Sequence, residues 1–371
     1  MDLKQLRDGI DEIDEKILKL FLERMELCRS VAEYKRVNAL PVFQGNREEE
    51  IISRIKKLTP VPDLESGTAA LFTTIMDISK SLQNQSNFIH DDAYALKAPD
   101  FKRDGKIVCQ GVEGANSETA ARMIFGDRPL TFMPTFEDVF SAVEKKEAAF
   151  GIVPMQNSTS GSVDPAYDLM GRYSVYIVKN VCVNINHCLA VRRGIRLEDI
   201  SCVYSHPQAL AQCSEFIAKK GLATANYANT AMAAEFAAAS EDKIAAICSP
   251  QCAERLGLDI IADNIADCSL NRTRFICISD QPLAEPQSDV ISVMLKIPHT
   301  EGSLYRLLSK FYINGLNLCR IESRPVKDGS FDVLFYLDFA GSVADKNIRA
   351  LLSDLSANLE YFRFLGTFKN D

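Results

Sequence analysis

Between Leu3 and Leu40 the apolar residues Leu6, Ile10, Ile13, Ile17, Leu20, Phe21, Leu27 and Val31 return every three or four positions with no proline among them, the pattern of one amphipathic helix. At 1.5 Å per residue it would run roughly 55 Å, more than a domain of about 90 residues covers alone, so its apolar stripe calls for a second chain. Pro41 stops it. A second helix is expected from about Arg47 to Leu58, and a third from about Ser66 to Gln85, with Leu71, Ile75, Ile78 and Leu82 on one side. The polar stretch 86–104 reads as a linker.

From Lys106 to Asp280 short apolar runs alternate with amphipathic segments, which predicts α/β layers. Strands are expected at 106–110, 149–155, 175–184, 200–204, 243–248 and 275–278, and helices at 117–125, 136–144, 207–220 and 231–239. The long run 175–191 suits a crossing between two lobes with a return near Asn271, which places a ligand cleft between them. A second linker, 281–289, precedes strand 290–297, helix 303–314, strands 316–326 and 331–339, helix 343–355 and strand 361–368. That βαββαβ order is ferredoxin-like. Three domains are therefore expected, at 1–90, 105–281 and 290–369.

Composition narrows the chemistry. A net charge of −8 gives no general reason to bind nucleic acid or anionic membrane, so any anionic ligand needs local positive charge. No apolar stretch is long enough to span a bilayer, and Met1-Asp2-Leu3-Lys4 is unlike a secretory signal, which predicts a cytoplasmic protein. The 11 cysteines are odd in number and scattered in apolar runs, as reduced buried thiols are. Cys248 and Cys252 lack a second Cys/His pair, so no metal is expected. There is neither a Walker lysine nor a G-x-G-x-x-G, and no cofactor is expected either.

In the helical region Arg24 and Lys35 interrupt the stripe and differ by only about 20° around the axis. Arg7 lies roughly 25 Å away and turned by about 100°, so it reaches the same ligand only from another subunit. Taken singly, each cation reads first as solvated or as paired with the many nearby Glu and Asp. Arg47-Glu48 opens the second helix, and Ser79 and Gln83 share a face of the third. Together these groups suit a dianion bearing a hydroxyl and an ether, with no nucleophile or general base.

The run Leu6-Arg7-Asp8-Gly9-Ile10, then Asp14-Glu15-Lys16-Ile17, Glu23-Arg24, Lys35, Arg47-Glu48, and Ser79 with Gln83, resembles the all-helical chorismate mutase family over Leu3 to about Gln85. The resemblance implies that Arg24, Arg47 and a partner-donated Arg7 hold substrate carboxylates. Lys35 and Gln83 would hydrogen-bond the ether oxygen, and Glu48 the ring hydroxyl. Gln44 stands where members often carry Asp, a change that bears on the turn or on substrate contacts.

Farther on, Gly111-Val112-Glu113-Gly114-Ala115, Gln156-Asn157-Ser158 and Ser205-His206-Pro207-Gln208 each follow a strand and precede a helix, where unpaired amides favour an anion. His206 there reads first as a cap. Thr273 sits between Arg272 and Arg274, a hydroxyl with two cations to orient a carboxylate. With Gln212 and Thr273-Arg274-Phe275, these segments resemble prephenate dehydratase over about Lys106 to Asp280, a two-lobed α/β fold like periplasmic binding proteins. By that resemblance Thr273 assists departure of the ring hydroxyl, Arg274 binds substrate and Phe275 shapes the pocket. Asn157, Ser205 and Gln212 would add polar contacts. Gln156 replaces the family's usual Glu, keeping shape but losing charge.

Residues Val290 to Phe368, with Gly302-Ser303-Leu304, Asn317 and Ile321-Glu322-Ser323-Arg324-Pro325, resemble the ACT regulatory domain, whose loops bind phenylalanine between two copies. The three resemblances imply a chorismate mutase joined to a prephenate dehydratase under phenylalanine feedback, as a homodimer or homotetramer. An arogenate dehydratase, or a catalytically silent ligand sensor in the central region, are the alternatives.

Overall fold

The computed structural model describes residues 2–38, 40, 45–87, 94, 96–268, 270–326 and 332–370; Gln44 lies outside them. Helix α1 spans Leu3–Val37, α2 spans Gly45–Leu58 and α3 spans Glu65–Asn87. Asp2 and Gln5 close a capping box at the start of α1, each side chain meeting the other's backbone N–H. Met25, Ala32 and Met76 are buried between the helices. Most of the predicted stripe is not. Leu6, Ile10, Ile13, Ile17, Leu20, Leu27 and Val31 are all exposed.

Where the sequence pattern suggests three domains, the chain divides into two units, one of Met1–Ala95 with Val293–Phe364, the other of Leu96–Ser292 with Leu365–Asp371. The reason within the first unit is α3. One side of it meets α1 and α2, and the other meets helices Ser303–Ile313 and Lys346–Asn358. Asn84 Nδ2 donates to Asp354 Oδ1 at 2.7 Å, Ser81 Oγ to Asn314 Oδ1 at 3.2 Å, and Lys310 pairs with Asp354. The expected βαββαβ order is present, with strands Leu318–Pro325, Val333–Ala340, Val290–Lys296 and Tyr361–Phe368 adjacent in that sequence. Strand Leu318–Pro325 is the edge on this side, and Ile321 on it is exposed.

The second unit holds two mixed sheets. One runs Tyr176–Asn184, Arg272–Ser279, Phe150–Asn157, Ile107–Gln110, Leu130–Met133; the other runs Asp259–Ala262, Cys188–Val191, Ile244–Cys248, Cys202–Ser205, Thr224–Asn226. The apolar run 175–191 does cross from one sheet to the other, and the chain returns before Arg272. Strands 130–133, 224–226 and 259–262 escaped the sequence reading because they are only three or four residues long and exposed or half-exposed, too short to set an alternation. Helices Asp164–Arg172 and Pro250–Arg255 escaped it too, each started by a proline in its first turn. The single helix expected at 207–220 is two, Pro207–Gln212 and Ser214–Lys220, broken at buried Cys213.

Packing is tight where helices lie on strands. Four alanines of helix Thr230–Ala239 are buried and let it approach the fully buried strand Ile244–Cys248. At Gly151 a Cβ would fall 2.7 Å from Val139 Cγ1 and 3.0 Å from both Val143 Cγ2 and Ile278 Cγ1. Gly151→Ala is therefore expected to lower stability by about 1–3 kcal/mol through overpacking, read as a reduced Tm.

Candidate active sites

In the first unit the half-buried Arg24 points its Nη1 at Ser79 Oγ, 2.6 Å away, with Cys28 Sγ at 3.7 Å one helical turn on. Ser79 in turn donates to the Ile75 carbonyl at 2.8 Å, which pins its hydroxyl at the α1–α3 contact. Lys35 continues the same face of α1 and is half-buried among exposed neighbours. Burial pulls its pKa below the ordinary lysine value, and attraction to Glu48 of α2 opposes that pull. Gln83 is buried, and its Oε1 has no hydrogen-bond partner. An unmet carbonyl oxygen of that kind costs about 1–3 kcal/mol. Arg24, Lys35, Glu48, Ser79 and Gln83 thus come from three helices into one neighbourhood.

Two expected members stand apart from it. Arg47 is exposed and pairs with Glu50 at 2.9 Å on its own helix. Arg7 is exposed near the far end of α1, as its 17-residue separation from Arg24 requires. Two groups went unnoticed in the sequence. Lys80 lies 3.0 Å from Glu48 Oε1 and 2.8 Å from Asp77 Oδ1, and both carboxylates are largely buried. The Asp77–Lys80 spacing of three was the available signal.

The second unit carries a continuous polar chain. Asn157 and Thr273 are paired across adjacent strands, and Asn157 Nδ2 donates to Thr273 Oγ1 at 2.9 Å and to Asn271 Oδ1 at 2.7 Å. Asn157 Oδ1 accepts from the Thr159 N–H (3.0 Å), Thr159 Oγ1 (2.6 Å) and the Ser160 N–H (3.0 Å). Gln212 ties in from the other lobe: its Nε2 donates to Thr159 Oγ1 at 2.8 Å, and its Oε1 accepts from Asn271 Nδ2 at 3.0 Å. Because Asn157 already donates to the Thr273 oxygen, the hydroxyl proton of Thr273 is directed elsewhere.

Other expectations change. Ser205 is fully buried and donates to the Ile247 carbonyl at 2.6 Å, so its hydroxyl braces the second sheet instead of facing a ligand. Phe275 lies in the apolar core with Val181 and Cys277, beyond a β-bulge at Arg274/Phe275. Strand alternation turns Arg272 and Arg274 to the face opposite Thr273, so the three do not form one cluster as their adjacency suggested. Gln156 is half-buried in register with Arg274. Of the helix starts, the Gly114 amide is taken by Glu118 Oε2 at 2.7 Å, and His206 Nδ1 accepts from the Gln208 N–H at 3.3 Å as a plain cap. In the C-terminal module Gly302 is left-handed (φ 77°) and caps helix Ser303–Ile313, with Ser303 Oγ 2.7 Å from Thr300 Oγ1. Leu304 and Asn317 are exposed, and Glu322 and Ser323 alternate along the edge strand.

His187, at the polar break between strands 176–184 and 188–191, is a further group the sequence reading missed. It is buried, with Nε2 3.1 Å from Gln212 Oε1. That oxygen only accepts, so Nε2 carries a proton, and the buried Nδ1, which has no hydrogen-bond partner, gives a second proton nothing to bond to. Burial depresses its pKa below 6.5, more than the Gln212 bond raises it. The unfolded chain therefore binds a proton below about pH 6.5 that the folded one refuses, and stability falls as pH drops from there to the folded pKa. Tm is expected to be lower at pH of about 5.5 than at about 7.5, and His187→Gln to shrink the difference.

Comparison with known proteins identifies the two regions that hold these clusters. The family model for chorismate mutase type II matches residues 6–84, and that for prephenate dehydratase matches 107–283. A bifunctional chorismate mutase/prephenate dehydratase of Aquifex aeolicus is 31% identical over 372 residues, covering 99% of this chain and 98% of that protein. Arogenate dehydratase/prephenate dehydratase 1 of Arabidopsis thaliana is 35% identical over 80% of this chain and 82% of its own. The prephenate dehydratase of Arthrobacter aurescens, solved in complex with L-Phe, superposes with a TM-score of 0.66 at 28% identity, over 71% of this chain and 90% of that one. Matched to chorismate mutase over its N-terminal helices and to prephenate dehydratase over residues 107–283, the chain belongs to the bifunctional chorismate mutase/prephenate dehydratase family and converts chorismate to prephenate and prephenate to phenylpyruvate.

Proposed function

We propose that the two reactions divide between the two polar clusters, with phenylalanine as the effector of both. The Claisen-type rearrangement of chorismate is unimolecular, so the protein contributes by holding the compact conformer and meeting charge as it develops. Arg24, braced by Ser79, faces a substrate carboxylate. Lys35 and the Gln83 amide, turned so that its Nε2 points inward, donate to the ether oxygen as its carbon–oxygen bond breaks, each donor contributing about 3 kcal/mol. Glu48 accepts from the ring hydroxyl. Arg47 would turn inward to a second carboxylate only on leaving Glu50, a surface pair worth about 0.2–1 kcal/mol and so easily exchanged.

Arg7 serves a neighbouring copy. The exposed stripe on α1 supports this, since burying each Leu or Ile there yields about 1.5–3 kcal/mol and the stripe is continuous. A homodimer through α1, or a homotetramer if the edge strand Leu318–Pro325 pairs as well, follows from two self-complementary surfaces.

In the dehydratase the observation that carries the reading is the Asn157–Thr273 hydrogen bond at 2.9 Å. Thr273, receiving from Asn157, directs its own O–H to the departing ring hydroxyl. The ring carboxylate leaves as carbon dioxide, its bonding pair enters the ring, and the carbon–oxygen bond breaks as water forms. Gln212, hydrogen-bonded to Thr159 and Asn271 of the same cluster, orients the substrate, while Arg274, on the face opposite Thr273, contributes only its positive charge at a distance. Gln156 has no acid to lend, so the proton comes from Thr273 and solvent. Arogenate is the second candidate substrate, because the Arabidopsis relative carries both names. The silent-sensor alternative loses support from the intact Asn157–Thr273–Gln212 chain.

Regulation rests on the C-terminal module, which we assign as an ACT domain with Gly302, Ser303, Leu304, Asn317, Glu322 and Ser323 at the effector loops. The solved relative holding L-Phe supports that assignment. A cleft of about 780 Å³ has Gly302 and Ser303 on one side and Glu48 and Lys80 on the other. We assign the protein to the cytoplasm; no helix among the described residues is long and apolar enough to cross a membrane.

The test is to feed purified protein chorismate, then prephenate or arogenate, with and without phenylalanine. Lys35→Ala is expected to cut mutase turnover by about 100-fold or more while dehydration persists, and Thr273→Ala to do the reverse. Retention of both activities in either variant would refute the division, and faster turnover of arogenate than of prephenate would reassign the second substrate.

A further inference from the structure

Lys80 of α3 is a largely buried cation with no place yet in the rearrangement. It follows Ser79 on α3 and precedes Gln83 by three residues, so it borders the face that carries both. Its Nζ is 3.0 Å from Glu48 Oε1, 3.2 Å from Glu48 Oε2 and 2.8 Å from Asp77 Oδ1, and its side chain is 16% exposed. Burial opposes the charge, but Asp77 first and Glu48 second outweigh it and raise the pKa, so Lys80 is an ammonium held between two carboxylates.

We infer that Lys80 is a positioning residue for the mutase, acting through Glu48. The inference rests on the reading of Glu48 as acceptor of the ring hydroxyl. An ionised carboxylate offers about four lone-pair directions. Lys80, astride both oxygens, fixes the plane of the group and leaves the remaining directions for the hydroxyl. It also settles a competition. Glu48 is drawn to Lys35 on α1, and the side that Lys35 turns to Glu48 is lost to the ether oxygen. A second cation, Lys80 on α3, at 3.0 and 3.2 Å from the two Glu48 oxygens, anchors the carboxylate there, so that Lys35 need not neutralise it alone. Arg306 Nη2, from helix Ser303–Ile313, is a third cation, 3.9 Å from Glu48 Oε2 and half-exposed. Asp77 completes the set by holding Lys80 from behind, which keeps the ammonium from sliding toward the substrate carboxylates.

The experiment is a double-mutant cycle on the full-length protein, with chorismate consumption as the readout and prephenate dehydration in the same preparations as the check on folding. Lys80→Met is expected to lower mutase kcat/KM about tenfold or more and Lys80→Arg to recover most of it. On a Glu48→Gln background, Lys80→Met should cost less than about threefold further, because its route of action is gone. Lys80→Gln in parallel, with helicity measured by circular dichroism, separates lost positioning from lost folding. Wild-type turnover in folded Lys80→Met or Lys80→Gln, or a full multiplicative loss on the Glu48→Gln background, overturns the assignment of Lys80. If Glu48→Gln alone turns chorismate over like wild type, the reading of Glu48 fails and the inference falls with it. That result is distinct from an impaired Glu48→Gln beside an unimpaired Lys80→Met.

Discussion

Holding opposite charges close together without letting them cancel is the constraint on which the helical unit depends. A dianionic substrate needs fixed cations, and its hydroxyl needs an acceptor, yet cation and acceptor left alone in a low-dielectric pocket attract each other strongly. The three helices answer this by geometry. Arg24 is braced by a neutral hydroxyl, Glu48 by Lys80, and Lys80 by Asp77, so most charges have a partner that is not the substrate's. For Arg24, Glu48 and Lys80, preorganisation means that each is already held by a partner within the protein.

The second unit meets a similar demand with almost no charge. From His187 through Gln212 and Asn271 to Asn157 and Thr273, every link is neutral, and the amides alternate donor and acceptor ends so that each orientation fixes the next. Such a chain fixes the orientation of one hydroxyl, that of Thr273, through neutral links alone. It also explains why a Gln at 156 is tolerated by the architecture: the strand pairing there needs the backbone, and the side chain lies on the other face from Thr273.

What could be read from sequence followed from periodicity and local chemistry. The long helix, the lobe-crossing run 175–191 and the βαββαβ order were visible because each imposes a repeating apolar pattern. Arg24, Lys35, Ser79 and Gln83 were visible because helical spacing places them on shared faces. Arg272 and Arg274 misled because adjacency in a strand puts neighbours on opposite faces, and Ser205 misled because a hydroxyl's partner, here the Ile247 carbonyl, is set by tertiary pairing. Lys80 and His187 were hidden for the same reason: their roles come from residues 32 and 25 positions away. The grouping of modules was beyond pattern analysis as well, since α3 is amphipathic on one side by sequence yet packs on two.

That double duty of α3 has a practical corollary for anyone dissecting the enzyme. A fragment ending after the third helix would keep all the groups assigned to the rearrangement on one chain, but would strip Asn84, Ser81 and Lys80's neighbourhood of the helices now resting on them. Its catalytic constants would report a helix relieved of half its scaffold, and so would describe a different molecule from the rearrangement module at work inside the intact polypeptide.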